Sequence, residues 1–130
     1  MATFLLDTSV IIDTINNKKS RRQLLRSLLD QGHVLACCPI NVVEIYAGLR
    51  PKEEVSTESF LASLDYFLIT FTMSRLAGQF KRDFAKKGVT LSVTDTLIAA
   101  VAIEHRIFLI TDNTKDFPMK ELKIYPLPQA

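Results

Sequence analysis

Short apolar runs alternate with longer amphipathic stretches along the whole chain. Thr3–Leu6 is an apolar run of strand length, and Thr8–Ile15 leaves it as a short helix. Residues 20–31 are expected to form a second helix. Ser20 caps it, Gln23 stands three residues later as in a capping box, and Gly32 ends it. Val34–Cys37 reads as the second strand. Pro39 suits a first helical position, so 40–49 forms a helix that halts before Pro51. Residues 53–64 follow as a helix with Phe60, Leu61 and Leu64 on one face. A third strand is expected over 67–71. A long helix over 74–87 then turns Leu76, Phe80 and Phe84 inward, and Gly88 closes it. Val93–His105 is nearly all apolar beyond its first turn, which marks a buried central helix, and 107–110 and 123–125 are the last strands.

Strands of four or five residues alternating with helices imply βαβ crossovers and a mostly parallel sheet covered on both faces. The expected architecture is a three-layer α/β/α domain with about five strands, spanning residues 1–130 as one unit. At 130 residues the chain is large enough to bury roughly two-thirds of its unfolded surface.

Composition changes this picture little. Hydrophobic residues make up 48% and charged residues 23%, the balance of an ordinary compact domain. A net charge of +2 neither marks nor excludes a nucleic-acid binder. A basic groove would have to come from local clusters: Lys18-Lys19 with Arg21-Arg22, Lys81-Arg82 and Lys86-Lys87. Cys37 and Cys38 are adjacent in an apolar stretch and read as buried thiols of a reducing cytoplasm. His33 and His105 lack the paired partners of a zinc site. The start reaches Asp7 with no basic leader, so no signal peptide is expected. The longest apolar run, 97–103, is far short of the roughly 20 residues that span a bilayer. A cytoplasmic protein without a membrane partner is expected.

The candidate chemistry lies in five carboxylates. Asp7 and Asp112 each end an apolar strand, Glu44 and Asp95 interrupt apolar helices, and Asp116 lies four residues beyond Asp112. In open α/β sheets the site lies beyond the carboxyl ends of the strands, so Asp7 and Asp112 should share that rim. Each acid alone has an ordinary explanation, as a cap, a turn former or a surface residue. Gathered at one rim they would repel one another and pay for desolvation unless a divalent cation joined them. Magnesium and manganese favour such oxygen ligands and can activate water against a phosphodiester. No Ser-His-Asp or Cys-His arrangement and no glycine-rich phosphate loop competes.

Four segments carry a resemblance in order along the chain: Leu5-Leu6-Asp7-Thr8-Ser9-Val10-Ile11-Ile12-Asp13, Asn41-Val42-Val43-Glu44-Ile45-Tyr46-Ala47-Gly48, Thr94-Asp95-Thr96-Leu97-Ile98-Ala99-Ala100, and Leu109-Ile110-Thr111-Asp112-Asn113-Thr114-Lys115-Asp116-Phe117. Together they resemble a PIN domain, and more narrowly the VapC-type ribonuclease toxins of toxin–antitoxin pairs. The resemblance implies an RNA endonuclease using Mg²⁺ or Mn²⁺, with Asp7, Glu44 and Asp95 as core acids. Asp7 and Asp95 would be the nearest metal ligands, with Glu44 binding the metal or orienting its water. The fourth acid falls at Asp112 or Asp116, and Asp112 is slightly favoured because it leaves its strand at the rim. Thr8, Ser9, Thr111 and Asn113 would hold the carboxylates in orientation. The resemblance further implies a homodimer and a cognate antitoxin covering the acidic groove. Lys81, Arg82, Lys86 and Lys87 are candidates for RNA phosphate contacts.

Other classes compete less well. A receiver-like phospho-acceptor needs a carboxylate at the end of its middle strand, where Phe71-Thr72 is expected here, and a dehalogenase-like phosphatase needs Asp-x-Asp where Ser9 stands. A PIN-like domain that binds RNA without cutting it is the remaining alternative.

Overall fold

The computed structural model describes residues 1–127, so the last three residues of the expected 1–130 domain lie outside the described residues. The strands are β1 (Thr3–Leu6), β2 (Val34–Cys37), β3 (Asp65–Tyr66), β4 (Phe108–Thr111) and β5 (Lys123–Pro126). They form one parallel sheet in the order β3-β2-β1-β4-β5, which puts β1 at its centre. Six helices connect them: α1 (Thr8–Ile15), α2 (Arg21–Asp30), α3 (Pro39–Ala47), α4 (Glu54–Ala62), α5 (Phe71–Lys86) and α6 (Val93–His105). The expected three-layer parallel architecture is therefore present.

The pleat divides the core in two. Successive strand residues face opposite sides, so both sides must be apolar when helices cover both. Leu5, Ala36 and Leu109 pack with Met73, Ala77 and Phe80 of α5 and with the buried run Ile98–Ala102 of α6. Phe4, Leu6, Leu35, Cys37 and Ile110 pack with Val10 and Ile11 of α1, Leu25 and Leu28 of α2, Ile45 of α3, and Leu64. Phe4 alone touches His33, Phe108 and Tyr125 with its ring. Both cysteines are buried free thiols, as expected.

Three local expectations fail. The third strand is not 67–71. It is the two-residue β3, which pairs Asp65 and Tyr66 with Ala36 and Cys37 at the sheet edge. The chain leaves because Thr70 caps α5, its hydroxyl accepting the Met73 N–H at 3.2 Å. Phe67 then packs into the α5–α6 layer, against the His105 ring at 4.3 Å. The long helix consequently begins at Phe71 rather than Ser74. Ser20 does not cap α2 through its side chain. Its φ of +57° follows left-handed Asn17 and Lys19, and this backbone lacks the extended geometry that aims an N-cap hydroxyl at the first turn. β2 ends at Cys37 without a carboxylate, and the relocated β3 ends at Tyr66, directly after Asp65.

Candidate active site

Asp7 is the first residue past β1 and also the N-cap of α1. Its Oδ1 accepts the Thr8 N–H at 2.9 Å and its Oδ2 accepts the Thr111 hydroxyl at 2.7 Å. The residue is only 6% exposed, and Thr111 is fully buried. The capping and clustering explanations for Asp7 are thus compatible: the cap fixes one oxygen and the neighbouring strand fixes the other. Thr111 also receives the Asn113 N–H at 3.0 Å, which turns the chain after β4. Asn113 acts here through its backbone.

Glu44, half-buried on α3, accepts the Thr8 hydroxyl at 2.6 Å. That hydroxyl in turn accepts Asn41 Nδ2 at 3.0 Å. The same amide nitrogen donates to the Leu6 carbonyl at 3.1 Å, and Asn41 Oδ1 accepts the Cys38 N–H at 2.8 Å. Fully buried Asn41 therefore ties the end of β1, the start of α3 and the Thr8–Glu44 pair together. Sequence reasoning gave Asn41 no role. The available signal was a lone amide in the first turn of an otherwise apolar helix, three residues after Cys38.

Asp95 stands in the first turn of α6, its N–H bonded to Ser92 Oγ at 3.1 Å. Burial is the main influence on the Asp7 carboxyl, pushing its pKa up to about 6; the Thr111 and Thr8 hydrogen bonds oppose this, and the charges of Asp95 and Glu44 add to it. Burial also pushes Asp95 upward, against the Ser92 hydrogen bond and with the charges of Asp116 and Glu44. Asp7, Glu44, Asp95 and Asp116 thus share one electrostatic field.

Asp112 is turned elsewhere. Its Oδ1 accepts the Ser9 hydroxyl at 3.3 Å, and its Oδ2 meets Lys19 Nζ at 3.4 Å and buried Arg21 at 3.5 Å. Lys19 also reaches Asp13 at 3.4 Å. The left-handed turn at Lys19 and Ser20 brings these cations over the end of β4. Of the two candidates for the fourth place, Asp112 has cationic partners, whereas Asp116 is exposed and acts on Asp95.

The donor chemistry, carboxylate oxygens with neighbouring hydroxyls, is that of a hard divalent cation. Among the described residues no three His, Cys, Asp or Glu side chains are close enough together to form a ligand cluster as they stand. His33 accepts the Ala2 N–H and His105 packs on Phe67, so both have structural contacts.

The four basic side chains expected near RNA sit on α5 and just beyond it. Lys81 donates to the Leu91 carbonyl at 2.6 Å, which fastens the loop leading to Ser92 and Asp95. Arg82 pairs with Asp83 at 3.7 Å, Lys87 lies over the Phe84 ring, and Lys86 is exposed in the last helical turn.

The model of the PIN domain family matches residues 4–122, and the chain belongs to that family. Within it, the chain is similar to "Ribonuclease VapC19" of Mycobacterium tuberculosis (strain CDC 1551 / Oshkosh), with 30% identity over 115 residues, 88% of this chain and 92% of that protein. It is also 30% identical over 133 residues to "Ribonuclease VapC" of Rickettsia bellii (strain RML369-C), covering 95% and 96% of the two chains. A solved structure described as DNA-bound VapBC from Salmonella typhimurium superposes with a TM-score of 0.82 at 25% identity, covering 97% of this chain and 98% of that one.

Proposed function

We propose that this chain is a metal-dependent endoribonuclease and the toxin of a toxin–antitoxin pair. Its whole-length similarity to VapC ribonucleases supports the reaction class. The observation that carries the metal dependence is the Asp7 carboxyl, buried and facing the like charges of Asp95 and Glu44. Burial and like charge both disfavour the ionised carboxylates there, and a divalent cation would relieve both.

Asp7 and Asp95 would hold Mg²⁺ or Mn²⁺, with Glu44 binding it or orienting a water, and Asp116 would take the fourth place. A divalent cation held there would supply Lewis-acid chemistry, offsetting phosphodiester charge and easing loss of a proton from an attacking water. The remaining tasks belong to the protein. Thr111 and the Thr8 N–H keep both Asp7 oxygens oriented, and Asn41 holds the Thr8 hydroxyl that orients Glu44. Ser92 holds the first turn that carries Asp95. Asp112, bonded to Ser9, Lys19 and Arg21, stabilises the wall of the site instead of binding the ion.

RNA is the substrate, a cognate antitoxin the inhibitor, and two copies of the chain form the working unit. The VapBC neighbour supports the antitoxin. Among the described residues no helix is long and apolar enough to cross a membrane. The activity belongs in the cytoplasm, where its RNA substrate is found.

Incubation of the purified chain with single-stranded RNA tests this. Cleavage is expected with Mg²⁺ or Mn²⁺, is stopped by EDTA, and is lost in Asp7→Asn and Asp95→Asn chains that still fold. Cleavage that persists in EDTA would refute metal dependence. Binding without cleavage by the intact chain would favour the non-catalytic alternative.

A further inference from the structure

A cavity of about 260 Å³ opens beside Glu44, between the later turns of α1 and α3 and the start of α4. Its walls include Ile12, Ile15 and Ile45, and Asn16 and Thr57 are its neutral polar residues. Thr57 is 1% exposed, and its hydroxyl has no hydrogen-bond partner. A buried hydroxyl left unpaired costs about 1–3 kcal/mol, so a ligand that bonds it recovers a real loss. The cation on the rim, Arg50, is matched by Glu53 through two contacts of 3.2 Å. The pocket therefore suits an uncharged group and not a phosphate. Its size, below the roughly 300–1,000 Å³ of ordinary small-molecule clefts, suits one planar ring system.

We infer that this cavity is a nucleobase subsite, which receives the base next to the scissile phosphate of an RNA strand lying over the acids. The inference rests on the ribonuclease function proposed above, and Glu44 is the link, because it belongs to both the acidic site and the pocket wall. Apolar side chains cover the faces of the base, while Asn16 and the Thr57 hydroxyl address its polar edge. The subsite thus selects the base at one position beside the cut.

Two variants test it. Thr57→Val removes the hydroxyl at nearly constant shape. Gly48→Leu places a bulky side chain on the pocket wall, at a position where a Cβ meets nothing within 4 Å. Cleavage is measured on RNA oligonucleotides that differ only at the positions flanking the cut. The intact chain should prefer one base at one flanking position, and both variants should lose about tenfold of that preference in kcat/KM. Unchanged preference, or an equal loss on every sequence, would overturn the subsite. So would variants that weaken only antitoxin binding, since the pocket would then be a protein contact.

A second measurement separates this inference from the ribonuclease proposal. Backbone amide spectra are recorded without metal while each of the four nucleoside monophosphates is added, with ribose 5-phosphate as the control. Shifts confined to Asn16, Gly48, Thr57 and their neighbours, seen with a nucleotide and absent with the sugar phosphate, support the subsite even if no RNA is cut. No such shifts with any of the four would overturn it even if RNA is cut.

Discussion

The Thr111 hydroxyl donates to Asp7 Oδ2 at 2.7 Å across two adjacent parallel strands, 104 residues apart in sequence. The register explains why they meet. Leu6 lies opposite Ile110 in the β1–β4 pair, so the next residue on each strand is Asp7 and Thr111. Removing the hydroxyl at constant shape should therefore disturb the carboxylate more than the core. For Thr111→Val we expect a loss of about 1–3 kcal/mol in stability. A fall of about 10–100-fold in manganese affinity or activity should accompany it. Urea unfolding and calorimetric titration read the two effects, and unaltered manganese affinity would deny Thr111 its orienting role.

The Asp7 carboxyl also sets a pH dependence. Its folded-state pKa, about 6, lies above the ordinary 3.8, so between these values the folded chain binds more protons than the unfolded one. Without metal, stability should fall as pH rises through this window, by about 3 kcal/mol at most, and return as pH falls toward the ordinary value. The upward shift of Asp95 acts in the same sense. Asp7→Asn should be more stable than the parent above pH 6, with the advantage shrinking on acidification. Denaturant midpoints across pH decide this, and parallel curves for the two chains would contradict it.

Cation binding should reverse the same repulsion. Mg²⁺ or Mn²⁺ at about a hundred times its dissociation constant should add roughly 3 kcal/mol to unfolding at neutral pH. The gain should vanish in Asp7→Asn and in Asp95→Asn. Thermal melts with and without the ions provide the readout, and an equal rise in all three chains would point to binding elsewhere.

The two late aspartates should separate cleanly. Asp112→Asn removes a charged partner from buried Arg21, and should cost about 1–3 kcal/mol in stability while retaining most metal affinity. Asp116 is exposed, so Asp116→Asn should change stability by no more than about 0.5 kcal/mol. Its effect should fall on activity or metal affinity, by about 10–100-fold. The opposite pattern would return the fourth place to Asp112.

The central strands could be read from the chain because a parallel strand buried on both faces needs a largely apolar run, and 3–6, 34–37 and 107–110 have one. The edge strand could not. On that edge Asp65 and Tyr66 pair with β2, both side chains are exposed, and Phe67 and Ile69 beyond them pack into the helix layer. Phe67 and Ile69 look like strand residues because apolar composition does not say which layer receives them. Ser20 misled for a related reason: its residue type suits a cap, but the left-handed turn that brings Lys19 and Arg21 to Asp112 takes that geometry away.

By itself the sequence determined the layered parallel fold and the candidacy of Asp7, Glu44 and Asp95, because strand order and helix starts put carboxylates on one rim whatever the loops do. The tertiary structure decided what each late acid faces. Asp112 and Asp116 are both aspartates in one short segment, and no local pattern distinguishes them. The difference comes from Lys19 and Arg21, about ninety residues away in sequence, which contact Asp112, whereas Asp116 acts on Asp95. Charge neutralisation falls off with distance through space, and only the folded chain sets that distance.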